Sequence, residues 1–72
     1  MAYTVENFAT KEALKAAVAA GEVENLRTYN PSGMFPVTQD GRDVIEGPQY
    51  SKPHRWYAGV IVKGGVVVKV TG

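Results

Sequence analysis

Residues 55–71, RWYAGVIVKGGVVVKVT, hold two runs of branched aliphatic residues separated by Gly64-Gly65. A Gly-Gly pair between such runs specifies a two-residue turn, because both turn positions take positive φ. The turn sets a register: Val62 opposite Val67, Ile61 opposite Val68, Val60 opposite Lys69 and Gly59 opposite Val70. Alternation sorts the side chains onto two faces. Tyr57, Gly59, Ile61, Val66, Val68 and Val70 share the face expected to meet the core. Trp56, Ala58, Val60, Val62, Val67, Lys69 and Thr71 share the other. That second face is too apolar for water, so either another part of the chain or a second copy is expected to cover it.

Upstream, Asp40-Gly41 is a second hairpin signal. It predicts strands over about 35–39 and 42–46, with Val37 opposite Val44 and Thr38 opposite Asp43. Residues 23–30, VENLRTYN, read as a strand ended by Pro31-Ser32-Gly33. Residues 10–20, TKEALKAAVAA, predict a helix. Thr10 is its N-cap, Glu12 sits at the positive end of its dipole, and Gly21 fits the left-handed position after its last turn. Leu14, Ala17 and Val18 form a narrow apolar stripe, so this helix needs a sheet to lie on. The expected fold is α+β: one N-terminal helix on a small antiparallel sheet of four to five strands, a single domain over 1–72.

The chain has 72 residues, no cysteine and one histidine. Disulfides, thiolate metal sites, thiol catalysis and a histidine-cluster metal site within one chain are thereby excluded. No apolar run approaches the length of a membrane span, and the N-terminus lacks the pattern of a signal peptide. A soluble cytoplasmic protein is expected. Phosphate-cradling motifs and an EF-hand pattern are missing, so no cofactor and no metal are expected.

The net charge of +1 hides an asymmetry. Residues 1–46 hold seven acids against Lys11, Lys15, Arg27 and Arg42, whereas residues 47–72 hold Lys52, Arg55, Lys63 and Lys69 with no acid. A basic third of this kind is either a solvated surface or an anion-binding face. Four cations neutralise too few phosphates for tight nucleic-acid binding. A ligand of nucleotide size matches better.

The densest chemistry lies in residues 46–58, EGPQYSKPHRWYA. Arginine offers a planar donor fork for phosphate, and aromatic rings offer stacking platforms for a base. His54, Arg55, Trp56 and Tyr57 are the candidate ligand-binding residues, with Tyr50 or Tyr29 as a further platform or hydroxyl. Pro48 and Pro53 stiffen the loop before any ligand arrives. Each residue also has a plainer reading. Tyr57 fits the core, Trp56 a second layer or an interface, and His54 a surface hydrogen bond, while Arg55 fits an ion pair with Glu46. An isolated histidine is thin support for catalysis, so no enzymatic activity is expected.

The runs FATKEALKAAVAAG, YNPSG and EGPQYSKPHRWYAGVIVKGGVVVKV resemble a set of very small, uncharacterised proteins encoded by bacteriophages. The resemblance spans about Phe8 to Val70 and is most specific in GPQYSKPHRWYA. It implies a phage accessory protein, acting in the host cytoplasm, and implies no activity. By analogy of gene class alone, some small phage proteins sequester immune signalling nucleotides as homo-oligomers. The expected function is therefore binding of a small anionic nucleotide by a homo-oligomer. The alternative is a module that docks on and inhibits a host protein, using the aromatic and arginine residues favoured at hot spots.

Overall fold

A computed structural model describes residues 2–30, 37–49 and 53–72 of the protein. In chain order the elements are β1 (Tyr3–Thr4), α1 (Lys11–Ala20), a 3-10 helix (Val23–Leu26), β2 (Thr28–Tyr29), β3 (Asp40–Gly47), β4 (Trp56–Lys63) and β5 (Val66–Val70). The α+β class stands. The five strands, however, divide into a three-stranded antiparallel sheet ordered β3-β4-β5 and a two-stranded ribbon of β1 and β2. Isolated bridges from Ala2 to Ile45 and from Arg27 to Val66 tie the ribbon to both edges of the larger sheet.

Gly64 and Gly65 make the expected turn, with φ of 60° and 76° that a β-carbon would oppose. Lys63 faces Val66 and Val62 faces Val67. Beyond that pair the predicted register slips by one residue. Ile61 lies opposite Lys69 and Val60 opposite Val70, so Val68 is the extra residue of a β-bulge.

The two faces of this hairpin are the reverse of the sequence expectation. Ala58, Val60, Val62 and Val67 are buried, whereas Tyr57 is 51% and Val68 48% exposed. Both faces of 56–62 are apolar, so alternation alone could not choose between them. Packing chose. The alanine-rich surface of α1 approaches closely, and small branched side chains fill the thin space left above β4 and β5. Leu14 and Ala17 from α1, Leu26, Phe8, Ile45 and Ala2 complete this core. No second copy of the chain is needed to cover Val60, Val62 and Val67, which was the reason for expecting an oligomer.

Helix α1 forms where predicted. The Thr10 hydroxyl accepts from the Ala13 amide at 3.1 Å, and Gly21 ends the helix in the left-handed region. Residues 23–30 depart from the predicted strand. The amides of Asn25 and Leu26 both donate to the Glu22 carbonyl, and the Asn25 side chain donates to Glu22 Oε1 at 2.7 Å. These local bonds wind the segment into a turn of 3-10 helix that inserts Leu26 and leaves Val23 exposed. Thr28 and Tyr29 then pair with Thr4 and Tyr3, and Arg27 bridges to Val66.

The Asp40-Gly41 hairpin does not form. Both residues belong to β3, opposite Lys63 and Val62, and Asp40 Oδ1 accepts from the Gly64 amide at 3.1 Å. The short-range turn signal is satisfied within the neighbouring turn instead. Val44 consequently faces Gly59 and Asp43 faces Val60, not Val37 and Thr38. Residues 35 and 36 of the predicted strand, and the Pro31-Ser32-Gly33 stop, lie outside the described residues.

Candidate functional site

Helix α1 lies on one side of the three-stranded sheet; among the described residues no helix covers the other side, the open face. Strand alternation and the register place Arg42, Val44 and Glu46 from β3 there, beside Ile61, Gly59 and Tyr57 of β4. Tyr57 and Val44 are exposed. Gly59, between Tyr57 and Ile61, carries no side chain; a β-carbon there would lie 3.1 Å from the Thr71 hydroxyl, so the Thr71 side chain occupies the space beside it.

Arg55 extends this face. Its amide donates to the Gly47 carbonyl at 2.7 Å, which continues the β3–β4 pairing by one step. Alternation then puts its exposed side chain on the side of Tyr57. Among the described residues, Arg42, Arg55 and Lys63 make no ion pair, whereas Lys15 lies 3.7 Å from Glu12 and Arg27 forks onto Glu24 at 3.1 and 3.2 Å. The Arg27 hydrogen bonds, and then its charge, hold the Glu24 carboxyl below its ordinary pKa. The acids nearest the open face are engaged: Asp40 with the Gly64 amide and Glu46 with His54.

His54 sits elsewhere. Its Nε2 is 2.7 Å from the Tyr3 hydroxyl and its Nδ1 is 3.3 Å from Glu46 Oε2. A carboxylate only accepts, so Nδ1 carries a hydrogen; in the neutral ring Nε2 then accepts from Tyr3. The Tyr3 ring meets Tyr29 and His54 edge-on, with centroids 5.9 and 5.7 Å away. Tyr29 donates to Gln49 Oε1 at 2.6 Å, Gln49 Nε2 donates to the Thr4 carbonyl at 2.6 Å, and the Gln49 amide donates to Asn7 Oδ1 at 2.9 Å. A tyrosine–histidine–carboxylate chain has the form of an activated nucleophile. Here Tyr3 is buried, 4% exposed. The chain acts as a clasp between β1 and the segment after β3.

Of the sequence candidates, Arg55 and Tyr57 thus share the open face, while His54 and Tyr29 join the clasp. Trp56 lies on the helix side, where its indole donates to the Phe8 carbonyl at 3.2 Å and its ring covers Gly47. Tyr50 and Lys52 lie outside the described residues. Glu46 pairs with His54, not with Arg55. Sequence reasoning missed Tyr3 and Gln49, because their partners lie 20 to 51 residues away.

His54→Ala is expected to lower stability by about 1–2 kcal/mol, since Glu46, its side chain only 13% exposed, loses its partner. Urea unfolding would measure this. A histidine that serves a ligand and not the fold would leave the midpoint unchanged.

Among the described residues no group of three or more metal-ligating side chains gathers, and no helix is long and apolar enough to cross a membrane. No known protein family matches the chain, and neither a curated protein nor a solved structure shows significant similarity to it.

Proposed function

We propose that this chain is a non-enzymatic binding protein that takes a small anionic nucleotide on the open face of its three-stranded sheet. One observation supports the reading: Tyr57 of β4 is half-exposed, and Arg55, just before that strand, has its exposed side chain on the same face with no ion pair among the described residues. Tyr57 supplies a stacking surface for a base, a contact of about 1–3 kcal/mol. Arg55 supplies the donor fork for phosphate, with Arg42 and Lys63 adding positive potential along the same face. Glu46, opposite Tyr57 in the register, has its carboxylate turned to His54 at 3.3 Å. A single chain presents all of these groups, and binding needs no second copy. On the further proposal that the chain is a phage accessory protein, host signalling nucleotides are the first class to assay.

The test is a thermal-shift and calorimetric screen of mono-, di- and cyclic nucleotides. A ligand that binds only the folded state raises Tm. Arg55→Ala is expected to weaken binding about 10- to 150-fold, the equivalent of about 1.5–3 kcal/mol for a charge-assisted contact. The same change should move the Tm of the free protein little, because the side chain is exposed. Failure of every nucleotide at millimolar concentration would overturn the proposal. The exposed Val44 and Tyr57 on a flat face would then favour the protein-docking alternative.

A further inference from the structure

A separate groove runs between α1 and the edge of β5. It encloses about 250 Å³ and is lined by Lys15, Val18 and Ala19 of the helix and by Val68, Lys69 and Val70 of the strand. Its walls are aliphatic and its two charged residues are both cations. The bulge creates it: with one extra residue in β5, Val68 leaves the strict alternation and lines the space beside the helix. Two things would ordinarily fill such a place. One is an added β-strand, since among the described residues no backbone hydrogen bond joins β5 beyond Val66 to anything other than its own sheet. Bulges and edge lysines are the devices that prevent strand addition, however, and this edge carries both. The other is a small molecule with an apolar body and an anionic end.

We propose that this groove binds an aliphatic monocarboxylate, its chain against Val18, Ala19, Val68 and Val70 and its carboxylate between Lys15 and Lys69. Charge complementarity selects the headgroup. Among the described residues Lys15 is held only by Glu12 at 3.7 Å, and both of those side chains are about half exposed or more, so an incoming carboxylate displaces a weak contact. The aliphatic walls suit a medium-length alkyl chain. Octanoate is the matching probe.

The experiment is an amide NMR titration of the ¹⁵N-labelled protein with octanoate below its micelle concentration. Saturable shifts are expected at Val18, Ala19 and residues 68–70, while the Tyr57 face stays still. Each methylene removed from the probe should weaken binding about two- to fourfold. Lys15→Gln and Lys69→Gln should each weaken it up to about fivefold, because both side chains are exposed. Octanol, which has the chain without the charge, should bind more weakly than octanoate. Ala19→Trp, which fills the groove, should abolish the shifts; the lysine variants carry the test should this one fold poorly. Equal binding of octanol and octanoate, non-saturable shifts, or shifts centred on Tyr57 would overturn the proposal. None of these outcomes depends on whether a nucleotide binds the open face.

Discussion

Val60→Asp is expected to leave the chain unfolded at 25 °C, whereas Tyr57→Asp is expected to fold with a Tm within a few degrees of the parent. Val60 is 1% exposed and lies in the middle strand under α1. No cation of the described residues belongs to the core around it, so a carboxylate there stays unpaired or takes up a proton at comparable cost. The loss is about 4 kcal/mol or more. A 72-residue chain has a total stability on the order of 4–11 kcal/mol, and small domains fall toward the lower end. One substitution therefore removes most of it. Tyr57, three positions earlier and on the other face, gives up only exposed ring area. Circular dichroism melts of both variants decide the matter. The opposite pattern, with Tyr57→Asp destructive and Val60→Asp tolerated, would mean that the sheet is turned over.

The alternation of 55–71 therefore decided the class of the fold but not its orientation. Gly64-Gly65 placed the turn, and the turn placed the first two pairs of the hairpin. Which face turned inward depended on α1, whose short side chains are legible as a composition but not as a docking partner. The bulge at Val68 has no local signal at all, because any residue of a valine run can be the one left over. Helix α1 was the best-determined element. Its N-cap, its propensity and its C-terminal glycine all lie within twelve consecutive residues and agree. Residues 23–30 and the Asp40-Gly41 pair failed for a shared reason. Each carries a local pattern that a tertiary or neighbouring hydrogen bond overrides.

The second large effect is expected at Gly47. A β-carbon there would lie 2.6 Å from Trp56 Cε2 and 2.8 Å from Nε1, well inside van der Waals contact. The indole has little freedom to retreat, since Nε1 donates to the Phe8 carbonyl at 3.2 Å and the ring packs against the core. Gly47→Ala must therefore break that hydrogen bond or bend β3. The cost falls in the upper part of the overpacking range, about 2–3 kcal/mol. Trp56 is the only tryptophan, so its fluorescence reports the displacement directly. A variant with parental emission and parental stability would show that the ring moves aside freely.

The candidate site was legible in its residue types more than in its geometry. Of the aromatic and basic residues in 46–58, Arg55 and Tyr57 stand on one face of the sheet. The segment nevertheless divides in three directions. Successive strand residues alternate sides, so Trp56 goes under the sheet while Arg55 and Tyr57 go over it. His54 precedes the strand and is taken by Tyr3 and Glu46. A one-dimensional cluster cannot reveal such a split. Tyr3 in particular carries no motif and is identified only by the partner it finds at the far end of the chain.

The clasp also bears on the order in which the chain folds. The hairpin of β4 and β5 closes over a two-residue turn and can form early, at small entropic cost. By contrast, the bonds from Tyr3 to His54, from Gln49 to Thr4 and from the Trp56 indole to Phe8 each span 45 to 51 residues. They are worth little until the ends of those long loops have already met, so they assemble late on the folding path. Hydrogen exchange is therefore expected to show less protection for the Ala2 and Val5 amides, which donate to Val44 and Arg27, than for the amides of the β3-β4-β5 sheet.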